Sequence, residues 1–322
     1  MNQGINVTQT SRFTPQRLGF AVITVAFIAG ITVFGGGYFV YLLNLVGIFA
    51  LVAIGLNVLT GSSGQISLGH AGFFAIGAYA AALLSSKFGV PFWLAIPIAS
   101  ILTTFIGALI ALPALRLKNL YLAIATLGFG IVAQKMIFEW REVTGGGAGL
   151  EVPIPFFFGI SLADGSRMTW VIAAVLAVAT VAAYRIVNGR TGRALTMLSE
   201  SELAAGCLGI DVARYKVIAF AVSAFYTAVA GGLYANLVRY INPESFNVNM
   251  SIMFLAMIVI GGMGSVRGAI LGAAFYVLMP EAVRGFKDAP GLIFGLSLML
   301  VVILLPGGLT SLFKARQKKV AT

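Results

Sequence analysis

Acidic and metal-binding side chains are scarce in this sequence, with ten Asp and Glu, one His and one Cys in 322 residues. The lone Cys207 excludes an internal disulfide framework. No zinc-ligand cluster, nucleophile–base pair or opposed buried carboxylates can be assembled from so few candidates. Gly-Lys occurs nowhere in the chain, so the Gly-Lys-Ser/Thr ending of a phosphate loop is missing. Charged residues make up 10% of the chain, where soluble domains carry about 25%. Acids are nearly absent from the interiors of the apolar runs, which speaks against a proton- or sodium-coupled carrier relying on such groups.

What the chain has instead is apolar length. Runs of about 17–22 residues recur along it, as membrane-spanning helices require, whereas a transmembrane barrel would alternate in segments of about ten. The runs are 18–34, 38–59, 66–85, 92–112, 120–138, 168–187 and 217–237, then two short ones, 252–263 and 269–279, and a last one, 292–305. This predicts an all-α polytopic membrane protein of about ten transmembrane helices, or eight if Ile252–Met279 is re-entrant. Residues 1–17 read as a retained cytoplasmic tail without a signal-peptide cleavage site. Residues 18–306 form one transmembrane domain, 188–216 a cytoplasmic loop within it, and 307–322 a basic cytoplasmic tail.

The net charge of +11 invites a nucleic-acid reading, but the charges sit between apolar runs. With a cytoplasmic N-terminus and every run crossing, one side collects fourteen basic and three acidic residues, the other seven of each. That asymmetry is the positive-inside bias of a bilayer protein. It places both termini inside and makes the lipid bilayer, not nucleic acid, the partner.

Three interruptions stand out. The first, from Gly61 and Ser62 through Gly64, Gln65 and Ser67 to His70, is rich in glycine and hydroxyls. Non-helical backbone at membrane depth survives only inside protein or beside water, and exposed amides and helix ends there could hold a zwitterionic solute. Tight packing is the better account of the glycines alone; for Gln65, Ser67 and His70, pathway and structural roles are evenly balanced. Gly261, Gly262 and Gly264 echo this break and suggest two loosely repeated halves around a central pathway. The second, Thr144, Gly145, Gly146 and on to Gly149, lies outside. It reads either as a flexible loop or as a docking surface for an external partner.

The third interruption, Asn188–Lys216, is the longest polar stretch on the inner side. Ser199 and Glu202 have capping-box spacing, and Gly209 stands where a left-handed cap would end a helix. Leu203, Ala204, Ala205 and Leu208 form a small smooth face between them. Such a capped element exceeds what a connector needs and predicts docking on another protein.

The stretches Gly55–Gly61 and Gln65–Phe73, with Gly77-Ala78-Tyr79, closely resemble the permeases of branched-chain amino acid ABC importers. Leu115–Tyr121, Ala123–Gly128 and Thr144–Leu150 are similar to the LivM type more than to its LivH-type partner, and Gly261–Gly264 with Gly268 fits as well. The resemblance covers about residues 40–310. It implies a non-enzymatic subunit of a bacterial cytoplasmic (inner) membrane importer, binding no cofactor itself. Its partners would be a second homologous permease, two cytoplasmic ATPase subunits that use ATP, and an extracytoplasmic substrate-binding protein. Ala204-Ala205-x-x-x-Gly209 matches the family's Glu-Ala-Ala-x-x-x-Gly coupling pattern, with Leu203 in the Glu position and Glu202 one place earlier. Coupling to the ATPase is thereby assigned to Arg193, Glu200, Glu202, Ala204, Ala205 and Gly209. Urea and short-amide permeases share much of this pattern, and a secondary carrier or channel is the remaining alternative.

Overall fold

The computed structural model describes residues 36–117, 119–157, 159–284, 290–305 and 307–311. The first apolar run, the N-terminal tail and most of the C-terminal tail lie outside them. Long apolar stretches satisfy every backbone amide within one helix, the economical solution in lipid. The helices are α1 (Gly37–Leu56), α2 (His70–Lys87), α3 (Phe92–Ala114), α4 (Asn119–Glu139), the short α5 (Arg141–Thr144) and α6 (Gly165–Asn188). They continue with α7 (Arg190–Glu200), α8 (Glu202–Cys207), α9 (Val212–Val238), α10 (Val248–Gly261), α11 (Val266–Ala282) and α12 (Pro290–Leu304). Among the described residues five helical stretches are long and apolar enough to cross a membrane: 37–62, 92–113, 120–139, 165–188 and 212–238. The protein is an all-α polytopic membrane protein.

Helix α9 is the axis of the fold, packed against α1, α2 and α3. Ala224, Ala228 and Gly232 repeat every fourth residue, so one stripe of α9 carries almost no side chain and neighbours come close. Gly107 of α3 faces Ala224, Gly77 of α2 faces Ala228, and Gly232 abuts Ile96 and Ala81. A side chain at Gly231 would collide with the Phe74 carbonyl. Around this stripe Phe74, Tyr234, Phe246 and Phe254 pack ring against ring, with Phe74 5.5 Å from Phe254 between centroids.

Contacts sort the connections into two ends, as the charge pattern requires. Gly64 touches Ser199, and Gly264 donates to the Asn57 side chain at 2.8 Å. A side chain on Gly262 would meet Thr310 and the Gly307 carbonyl. These groups mark the basic, inner end. At the opposite end Lys87 bonds the Glu142 carbonyl, Tyr38 bonds Glu281, and two short ladders form. Strand β1 (Leu150–Glu151) pairs antiparallel with β4 (Tyr240–Ile241), and β2 (Phe156–Phe157) with β3 (Ile160–Ser161). Helix α10 descends to the inner end and α11 returns to Glu281, so the short runs cross in both directions and do not form a one-sided re-entrant hairpin.

Candidate functional site

Helix α1 does not simply stop at the predicted break. It continues as a π-helical turn over Asn57–Ser62, and the chain then runs without helix from Gly64 to Gly69 before α2 begins at His70. The third helix therefore starts four residues later than the apolar run beginning at Ile66. The non-helical backbone is held by side chains. Thr60 donates to the Gln65 carbonyl at 3.0 Å, Leu68 N–H donates to Thr126 Oγ1 at 3.0 Å, and Gln65 donates to Ser63 at 3.0 Å. Gly69 lies so close to the Thr126 carbonyl that no side chain fits.

His70 is fully buried and bonded at both ring nitrogens. Nδ1 lies 3.0 Å from Ser67 Oγ and Nε2 lies 2.6 Å from Ser223 Oγ on α9. The chain is satisfied when Ser67 donates to Nδ1 and Nε2–H donates to Ser223. Ser223 stands eleven residues into α9 from Val212, about 16 Å along it at 1.5 Å per residue, so this chain lies at membrane depth. The start of α10 reaches the same depth, because Ala71 N–H donates to Ser251 Oγ at 3.0 Å.

The predicted pathway residues thus fall into two groups. Gly61 and Gly264 meet at the inner end, where a side chain on Gly61 would strike Asn57 and the Gly264 amide. Gly261 has no room for a side chain against Gly268, while Gly262 and Gly264 take left-handed backbone. These glycines close-pack α10, α11 and the π-turn. Ser62, Gln65, Ser67 and His70 are buried in the same region; Ser62 Oγ, Gln65 Oε1 and Asn57 Nδ2 have no partner there. Gly64 is exposed at φ +71. A groove of about 400 Å³ between α10 and α12, lined by Ile252, Leu255, Val259, Leu298, Met299 and Ile303, presents aliphatic side chains throughout.

The cytoplasmic stretch corrects the sequence reading in two ways. It contains two helices, α7 and α8, not one. Ser199 is not a cap: it lies in the last turn of α7, where its hydroxyl donates to the Thr196 carbonyl at 2.7 Å. Ser201 caps α8 instead, accepting from Ala204 N–H at 3.2 Å. Ser201 wins because its backbone is extended (φ −162) as an N-cap must be, whereas Ser199 is already helical. Gly209 ends the element at φ +80. Arg193 bonds the Asn188 carbonyl at 3.3 Å, and Glu200 is exposed.

On α8, Ala205 is buried and Ala204 exposed, while Leu203 and Leu208 are 82% and 67% exposed. Glu202 turns inward and pairs with Lys216 Nζ at 2.7 Å. The Lys216 side chain is only 4% exposed, that of Glu202 41%. Sequence reasoning counted Lys216 as a loop charge. A lysine one turn inside a spanning helix is the signal that it has a specific partner.

The external glycine segment is not a loose loop. Thr144 donates to the Ile137 carbonyl at 2.6 Å, Tyr240 OH to the Ala148 carbonyl at 2.6 Å, and Asn242 to the Gly147 carbonyl at 3.3 Å. Gly145, Gly146 and Gly149 all take left-handed backbone, and Gly149 lies against Tyr240 and Ile241. This segment is strapped to the outer end of α9. Among the described residues no group of three or more His, Cys, Asp or Glu side chains could hold a metal ion.

Compared with known proteins, residues 38–305 match the family model described as branched-chain amino acid transport system / permease component. The chain belongs to this family. Relatives of the branched-chain permease family include LivM of Salmonella typhimurium, a high-affinity branched-chain amino acid transport system permease protein, 34% identical over 84% of this chain and 69% of that one. LivM of Escherichia coli is 35% identical over the same shares. LivH of Escherichia coli is 28% identical over 81% of this chain and 90% of its own length. A solved chain from PsaBC of Streptococcus pneumoniae in complex with Fab covers 87% of this chain and 94% of its own, with a TM-score of 0.46 and 15% identity.

Proposed function

We propose that this chain is one of two permease subunits of an ATP-driven importer for branched-chain amino acids in a bacterial cytoplasmic membrane. Its companion is a LivH-type permease, and both termini are cytoplasmic. Two ATPase subunits supply ATP hydrolysis beneath it, and an extracytoplasmic binding protein delivers substrate. The chain itself binds no cofactor. The observation that carries the reading is α8, a capped helix at the basic end with Leu203, Ala204 and Leu208 turned outward and unburied. Two leucines left in water forgo about 1.5–3 kcal/mol each of burial free energy, which a partner's apolar groove recovers. The strapped glycine segment at the opposite end offers a rigid platform for the binding protein.

The test is reconstitution in liposomes with the cognate partners and labelled leucine. ATP should drive uptake, and Leu203→Asp with Leu208→Asp should release the ATPases while leaving the chain folded, since exposed substitutions change stability by within about 0.5 kcal/mol. Leucine flux through the purified chain alone, driven by an ion gradient, would refute the reading.

A further inference from the structure

Helix α9 touches each of the three elements singled out above. Its base carries Lys216, paired with Glu202 of α8. Its middle carries Ser223, bonded to His70 at the start of α2. Beyond its outer end, Tyr240 and Asn242 hold the glycine segment. We propose that α9 is the connecting rod of the permease and that Glu202–Lys216 is its inner joint: displacement of α8 reaches the Ser67–His70 segment through Lys216, α9 and Ser223. Lys216, Glu202 and Ser223 are positioning residues in this scheme. This rests on the function proposed above.

The physical reason is the burial of Lys216. An ammonium group removed from water keeps its anion, because separation leaves an uncompensated charge in a low-dielectric surrounding. Helix α8 has six residues and only Ala205 is buried in it, so the ion pair is its one charged tie to the membrane helices. Glu202 is therefore spoken for inside the chain and is not the residue that grips a partner. A 27-residue helix is about 40 Å long, and its small-residue stripe packs backbone to backbone with α2 and α3. Such a rod shifts as a body.

The experiment uses the complete transporter in proteoliposomes with leucine as the probe and measures leucine moved per ATP hydrolysed. Lys216→Met should let the ATPases co-purify yet lower this ratio at least tenfold. The exchanged pair, Glu202→Lys with Lys216→Glu, should restore it to within about threefold. Uptake and hydrolysis falling in proportion, with the ratio unchanged, would show a merely structural tie and overturn the joint. An unaltered transporter lacking ATP-driven uptake would instead refute the proposed function. The joint then still has its own test: hydrogen exchange on the chain in detergent. Lys216→Met should speed exchange at least fivefold over residues 63–69 as well as 199–211, and an effect confined to 199–211 would overturn it.

Discussion

Replacing Ser223 by alanine removes one oxygen from the interior and leaves His70 Nε2–H, 2.6 Å from it, without an acceptor. His70 and Ser223 are both fully buried, so water cannot take the vacated place without opening the packing. An orphaned buried polar group costs about 1–3 kcal/mol, or about a 5- to 150-fold change in a local opening equilibrium. The segment that should open is 63–69, whose amides depend on side-chain acceptors such as Thr126 Oγ1 for Leu68. Amide exchange reads such openings directly. In Ser223→Ala, exchange of the peptide covering 63–72 should accelerate by that factor, with the outer half of α9 unchanged. Ser100→Ala is the matched control. Ser100 is as fully buried, but its hydroxyl bonds only the Ile96 carbonyl of its own helix, at 2.7 Å, and that carbonyl keeps its helical partner. Equal effects of the two substitutions, or none at Ser223, would refute the idea that the His70 chain holds the break in place.

Two further substitutions test the backbone. A side chain at Gly272 would enter the space of the Met257 carbonyl, so Gly272→Val should destabilise the α10–α11 packing by about 1–3 kcal/mol. Gly128→Ala, where nothing lies within 4 Å, should leave the thermal midpoint in detergent unchanged. At Gly209, φ is +80 with open space around it, so alanine there pays only the left-handed penalty of about 1–2 kcal/mol. Gly209→Asn should retain more ATPase binding than Gly209→Ala in a pull-down, because asparagine tolerates that conformation.

The helices were legible in the sequence because lipid enforces them: an apolar run long enough to cross has one low-energy backbone state. Their ends were not. Helix α2 begins at His70 and not at Ile66 because the Thr126 side chain and carbonyl, far away in sequence, hold Leu68 and Gly69 out of helix. Helix α7 was hidden by Thr191 and Gly192, weak helix formers. Yet Gly192 is what lets α7 fold back against the Val187 backbone while Ala194, Leu195 and Leu198 are buried. The Ser199–Glu202 spacing matched a capping box, but Ser201 offered the same hydroxyl at a residue with extended backbone. At the site, the glycines advertised close packing correctly in kind. The partners of His70, Glu202 and Asn57 are long-range pairs, and spacing along the chain cannot reveal those.

The meeting of α2 and α10 through Ala71 and Ser251 brings two helix N-termini together between the faces of the bilayer. Each carries roughly half a positive charge, and little water is nearby to dampen it. A sodium ion or hydronium entering there meets a repulsive potential from both directions, the device by which facing half-helices keep cations out of solute pores. The same interruption that exposes backbone at depth therefore makes this part of the chain electrically tight, so that an energised membrane does not discharge through it.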